Sequence, residues 1–216
     1  MKPESKPKLE LHVISPSSSP AAWIPIFSTI WPYTTAVHIR DKRSTEKELE
    51  QFIDTLILHQ IPMSKIGFNR QVDLVFKYDP AILQIGMKEL HQIESLKSSM
   101  TSRGITKTRI GVSVHSLQEA KQAEHLGADY LMYGHIYPSS SKPGAAPRGV
   151  ASLQQICTEV HIPVIAIGGI KPTDIDELVN AGASGVAVIS GVMNAADPLG
   201  AVQEYHHALC RYGPIK

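Results

Sequence analysis

The sequence predicts a single (β/α)8 barrel. Eight short apolar runs rich in β-branched residues recur along the chain. They are continuous rather than alternating, as strands buried on both faces of a parallel sheet are. Between them lie stretches with helical spacing. Two of those stretches, "HLGADYLMYG" and "NAGASGVAVIS", pass through a Gly-Ala stop directly into an apolar run, the join of a βα unit. Eight strands in 216 residues fit a barrel near its lower size limit. A doubly wound open sheet is the alternative at this point.

The elements follow in order. The first two runs are "LHVIS" (11–15) and "AVHIR" (36–40). The helical stretch 44–61 opens with Ser44 as a candidate cap and sets Leu49, Phe52, Ile53, Leu56 and Ile57 along one stripe. "KIGF" (65–68) and "LQIG" (83–86) are the third and fourth runs, with short helical patterns after them. "RIGVSV" (109–114) leads into a helix with a Ser116/Glu119 capping box and a stop at Gly127. "DYLMYG" (129–134) is followed by a polar loop, 138–149, which reads as a lid hinged at Gly144 and Gly149. After "PVIAIGG" (163–169), Thr173 caps a helix that stops at Gly182, and "GVAVIS" (185–190) is the eighth run. The expected organisation is a disordered tail over 1–8 and one barrel domain over 9–211, with no linker and no second domain.

Composition excludes several function classes. The chain is 43% hydrophobic, enough for one sizeable core. Its 21 Lys+Arg against 20 Asp+Glu leave a net charge of +1, without the basic surface of a nucleic-acid binder or a helix-turn-helix pattern. No apolar run approaches the roughly 18 residues that span a bilayer. The segment "MKPESKPKLE" lacks the apolar stretch of a signal peptide. Cys157 and Cys210 form no ligand-like cluster, and free thiols in a reducing cytoplasm are the simplest reading. Oligomeric state is open, with a homo-oligomer compatible.

In a barrel the chemistry sits at the C-terminal strand ends. Small residues end the seventh and eighth runs: Gly168 and Gly169 in "IGGI", Ser190 and Gly191 in "VISGV". They let backbone N–H groups approach a ligand, and a short helix beginning at Gly191 would aim its N-terminus there, making an anion site suited to phosphate. His135 directly follows the sixth run, where an imidazole can take and give a proton. His115 follows the fifth run and Ser113 closes it. Arg40 and Lys42 follow the second, where His38 points either into the barrel or outward, and Asn69 follows the third. Lys142 and Arg148 would add positive charge above a phosphorylated substrate. No HxxxH or HxH pattern marks a zinc site.

Four segments, "RIGVSVHS", "GADYLMYGHIYPSSSK", "IPVIAIGGI" and "GASGVAVISGV", together resemble the thiamin phosphate synthase/TenI superfamily, phosphate-binding (β/α)8 barrels of thiamin biosynthesis. The match runs from about Leu9 to Leu209. Synthases of that superfamily need Mg²⁺ for a leaving pyrophosphate. Their two carboxylate ligands fall where this chain has Arg70, in "NRQVD", and Lys88, in "QIGMKE". Two cations there would repel the metal. His38 stands for the synthases' Gln, and His135 for a Pro in their sixth turn. The departures imply the other branch, the TenI-type thiazole tautomerase. That is an isomerase turning a carboxylated thiazolylidene ethyl phosphate into its aromatic tautomer, with His135 as general acid/base and no metal or cofactor. General acid–base help of this kind is worth on the order of 10²–10⁴-fold. The resemblance further implies a thiazole phosphate as the small-molecule partner. Gly168, Gly169, Ser190 and Gly191 would hold its phosphate. Arg40 or Lys42 would pair with its carboxylate, and Asn69, Ser113 and His115 would contact the ring or the carboxylate. A divergent synthase and a non-catalytic sensor of thiamin precursors are the alternatives.

Overall fold

The computed structural model describes residues 8–16, 20–41, 43–139 and 141–215. All but the last residue of the tail expected over 1–8 lies outside the described residues. Eight parallel strands close into a barrel in sequential order. They are β1 (Glu10–Ile14), β2 (Ala36–Ile39), β3 (Ile66–Asn69), β4 (Ile82–Gly86), β5 (Arg109–Val114), β6 (Tyr130–Gly134), β7 (Val164–Ile167) and β8 (Gly185–Val188). The seam pairs Glu10 with Gly185 and Val13 with Val188. The open sheet is thereby excluded. Each predicted run became a strand because a parallel strand is covered on both faces and tolerates little but apolar residues.

Helices wrap the outside: α1 (Pro20–Ile30), α2 (Glu46–Leu58), α3 (Val72–Tyr78), α4 (Ile93–Ser102), α5 (Leu117–His125), α6 (Gly149–Glu159), α7 (Ile175–Asn180), α8 (Ser190–Met193) and α9 (Pro198–Cys210). Their buried stripes pack on the strands' outer faces in one large core that includes Trp23, Phe27, Ile53, Phe68 and Leu131. A second, smaller cluster of Ile14, Ala36, Ile82, Tyr130, Met132, Ile165 and Ala187 fills the barrel interior.

Three caps differ from expectation. The cap of α2 is Thr45, not Ser44. Thr45 and Glu48 form a complete capping box, while the Ser44 hydroxyl donates to Asp41 at 2.7 Å. Ser116 caps α5 by accepting from the Glu119 N–H, but the Glu119 carboxylate accepts from the His115 N–H at 2.6 Å, so the box is half made. Thr173 is not a cap. A 3₁₀ turn, Pro172–Asp174, precedes α7, and Asp174 accepts from the Lys171 N–H at 2.7 Å. Helix α1 was not expected, since Pro25 lies inside it. Burial of Trp23, Phe27 and Ile30, each at most 1% exposed, holds it in place.

Candidate active site

At the C-terminal mouth of the barrel lies a cavity of about 730 Å³. It is lined by the ends of several strands, as a barrel's site is. His135 stands at its edge, immediately after β6, and is 6% exposed. Its Nε2–H donates to the Ala145 carbonyl at 3.3 Å, a bond from the ring to the loop that covers it. A neutral ring protonated at Nε2 carries its lone pair on Nδ1. That Nδ1 is buried and has no hydrogen-bond partner. Buried polar atoms are nearly always paired, so an orphan on a residue that lines the cavity is an exception that calls for a functional reason. Two donors fix the backbone just before the ring: His115 Nδ1 and Arg148 Nε both reach the Gly134 carbonyl at 3.0 Å.

Beside His135 the wall is backbone. Gly168 and Gly169 have φ of +102° and +71°, which strongly favour glycine. Space demands it as well. A Cβ on Gly168 would sit 2.3 Å from His135 Cβ, and one on Gly169 would sit 2.4 Å from the Pro138 carbonyl oxygen. Ser190 and Gly191 open α8 beside them, and the first N–H groups of a helical turn have no partner within it. The helix begins at Ser190, one residue earlier than expected, and spans four residues. Tyr205 from α9 closes this corner, donating to the Ile170 carbonyl at 2.7 Å.

Arg40, Asn69, Ser113, His115 and Lys142 also line the cavity, so with His135, Gly168, Gly169, Ser190 and Gly191 the mouth gathers ten of the residues singled out from the sequence. Lys42 lies outside the described residues. Arg148 is corrected. It does not line the cavity; its guanidinium grips Gly134, and its own N–H donates to the His135 carbonyl at 2.9 Å. Arg148 is therefore a support of the ring's backbone rather than a charge over the ligand.

A metal fits poorly. The two positions at which the resemblance places the synthases' carboxylate ligands hold Arg70 and Lys88. Arg70 pairs with Glu89 at 3.6 Å and borders an adjoining cavity of about 470 Å³ that shares Arg40, Asn69 and Ser113. Among the described residues no three His, Cys, Asp or Glu side chains are grouped to hold a metal ion. Divalent Mg²⁺ wants oxygen ligands of negative charge, and at those two positions the chain supplies a guanidinium and an ammonium, with the neighbouring Glu89 carboxylate already paired to Arg70.

Beneath the mouth the barrel interior also holds a buried polar network, which the sequence did not foretell. His12 and His38, both 0% exposed, meet at 2.8 Å. His12 bonds Glu10 at 2.9 Å, and Arg109 clasps both carboxylate oxygens of Glu10 at 2.8 and 2.7 Å. His38 points inward, settling its open orientation. Burial first, then the charge of His12, pushes its pKa down to about 3. Burial alone would raise the carboxyl pKa of Glu10; hydrogen bonds from His12 and Arg109 more than reverse this and hold it well below the usual carboxylate range.

Comparison with known proteins gives the family context. The model of the TMP-TENI family, described as thiamine monophosphate synthase, matches residues 29–192. A thiamine-phosphate synthase of Chlorobium phaeobacteroides is 35% identical over 77% of this chain and 80% of its own length. That of Pyrococcus furiosus is 33% identical over 91% and 93%. A solved structure, a thiamine phosphate pyrophosphorylase from Pyrococcus furiosus, superposes with a TM-score of 0.78 at 29% identity, covering 96% of this chain and 98% of that one. The resemblance to the superfamily is thereby shown. The isomerase class is not upheld, because these relatives carry the name of a transferase.

Proposed function

The chain belongs to the TMP-TENI family, and from that premise we propose that it acts in thiamin biosynthesis on a thiazole phosphate held in this mouth. The observation that carries the reading is one cavity lined both by His135, whose buried Nδ1 has no partner, and by the small residues that end β7 and β8. The phosphate sits against the N–H groups at Gly168, Gly169, Ser190 and Gly191, where no Cβ on the glycines keeps it at a distance. The thiazole ring then lies toward His135, which serves as the site's proton donor and acceptor. Arg40 and Lys142 contribute positive charge at the rim, and Arg40 has the fork geometry to take a carboxylate or phosphate bidentately. Asn69, Ser113 and His115 supply polar contacts from the opposite side.

The names of the relatives support a second reading, transfer onto the thiazole. In that reaction the thiazole nitrogen forms a C–N bond to a pyrimidine methylene while the C–O bond to the leaving diphosphate breaks. The residues at the family's metal positions do not fit the ion that assists this departure. Calorimetric titration with thiazole phosphate tests the first reading. We expect micromolar binding that weakens at least tenfold for the unphosphorylated thiazole alcohol; equal affinities would refute it. Incubating the protein with thiazole phosphate, pyrimidine diphosphate and Mg²⁺ tests the second, since thiamin phosphate above background establishes transfer and its absence removes that reading.

A further inference from the structure

The polar chain inside the barrel has a direction. Starting below, Arg109 holds Glu10, Glu10 accepts from His12, His12 meets His38, and His38 reaches Asn69 Oδ1 at 3.3 Å. Asn69 lines the cavity, so the chain ends at the mouth. A second arm rises beside it. Tyr130 donates to Gln84 Oε1, and Gln84 Nε2–H donates to Ser113 Oγ at 2.9 Å, again on the cavity wall. The fold makes room for both arms. A Cβ on Gly67 would stand 3.0 Å from His38 Nδ1, and one on Gly111 would stand 2.2 Å from Tyr130 and 2.4 Å from Gln84. Glycine weakens a strand interior, so its placement beside each arm shows what the two positions accommodate.

Matching donors to acceptors assigns the protons. Glu10 is a carboxylate and only accepts, so His12 Nε2 carries a hydrogen. Asn69 turns its carbonyl oxygen to His38, so His38 Nδ1 carries one. The 2.8 Å contact between the rings holds a third, since two lone pairs or two hydrogens would repel there. Three hydrogens on two imidazoles make the pair singly positive. The groups facing the rings place that charge. Glu10 lies beside His12 on β1, while Arg109 on β5 and Tyr130 on β6 pack against the same end, with Arg109 over the Tyr130 ring at 4.9 Å. The nearest carboxylate touches His12, so His12 is the imidazolium and His38 the neutral Nδ1–H tautomer.

We propose that this buried Glu10–His12–His38 chain is a positioning device that keeps the Asn69 carbonyl turned inward and so presents the Asn69 NH₂ group to the mouth as a donor. The second arm does the same for Ser113, whose Oγ accepts from Gln84 and whose own hydrogen is left for the cavity. The floor of the site is a pair of oriented donors, some distance in the chain from the glycine wall. It selects a ligand with a second acceptor group, a carboxylate, phosphate oxygen or ring nitrogen, besides the phosphate at the β7–β8 end. Had the rings shared only two hydrogens, Asn69 would turn round and offer the mouth an acceptor, which repels the same ligand. Placing the phosphate elsewhere in the mouth rests on the function proposed above; the proton inventory does not.

Imidazole ¹⁵N spectra of the free wild-type protein at pH 7 test it. The expected result is His12 protonated on both nitrogens and His38 on Nδ1 alone. A neutral His12, or His38 protonated at Nε2, overturns the proposal. The second measurement is Glu10→Gln, which removes the anion that keeps His12 charged. We expect His12 to become neutral and thiazole phosphate to bind about tenfold more weakly, with His135 signals unmoved. A neutral His12 with unchanged affinity overturns the positioning role. Failure of wild-type protein to bind thiazole phosphate counts against the proposed function alone, because the spectra of the free protein still decide the inference; they also decide it if Glu10→Gln does not fold.

Discussion

Gly168→Ala probes the link between the glycine wall and the imidazole. The new Cβ would stand 2.3 Å from His135 Cβ and 2.7 Å from its Cα. Ordinary van der Waals contact begins near 3.4 Å, so the ring and wall must part by about 1 Å. Misplacement of about 1 Å at a reacting group costs on the order of 10²-fold in rate. Stability falls too. A φ of +102° strains an alanine by about 1–3 kcal/mol, and the overpacking adds about 1–3 kcal/mol. For a domain of this size the melting temperature then drops on the order of 10 °C. Gly144→Ala is the matched control: φ is +76°, yet nothing lies within 4 Å of the added Cβ. It should lose about 1–2 kcal/mol and keep its affinity for thiazole phosphate. Thermal melts and calorimetric titration of the two variants give the comparison. Equal losses of affinity in both would refute the reasoning, because the contact with His135 would then have no consequence.

The buried network makes two further predictions about stability. Arg109→Met leaves the 1%-exposed Glu10 carboxylate without its bidentate partner and should cost about 3–5 kcal/mol in urea unfolding, with part recovered in Arg109→Met/Glu10→Gln. Full stability in the single variant would show that the pair is not what neutralises Glu10. The second concerns acid. His38 is neutral in the fold down to about pH 3, whereas in the unfolded chain it takes up a proton near pH 6.5. Between those values the unfolded state binds more protons, so stability falls as pH falls, by up to about 1.4 kcal/mol per pH unit. Urea midpoints at pH 7, 5 and 4 should show this decline, and His38→Gln should flatten it; an unchanged slope in that variant would refute the assignment.

The fold was readable because a parallel barrel writes each strand as an uninterrupted apolar run, and all eight runs became strands within one or two residues. The mouth was readable for a related reason. A barrel turns strand ends, separated by dozens of residues in sequence, into one surface, so Asn69, Ser113, His135 and Gly168 could be grouped without knowing any distance. Helix α1 was hidden by Pro25 and by the Ser/Pro-rich sequence before it, which reads as a turn; burial of Trp23 and Phe27 holds the helix in place. Caps slipped where a neighbouring carboxylate competed: Asp41 engages Ser44 and leaves Thr45 to cap α2. The interior network was the largest omission. His12 within "LHVIS" reads as an interruption of an apolar run, and Glu10 and Arg109 are 99 residues apart. The signals present were Gly67 and Gly111 inside strand runs, which mark close approach of other groups.

The central claim is that one mouth holds a phosphate against the ends of β7 and β8 and a ring against His135. A crystal structure of the protein with thiazole phosphate tests it most directly. Phosphate oxygens are expected about 2.7–3.2 Å from backbone nitrogens at Gly169 or Gly191, with the thiazole within reach of His135 Nδ1, directly or through one water. A phosphate seated instead in the adjoining cavity beside Arg70, with His135 Nδ1 untouched, would contradict it.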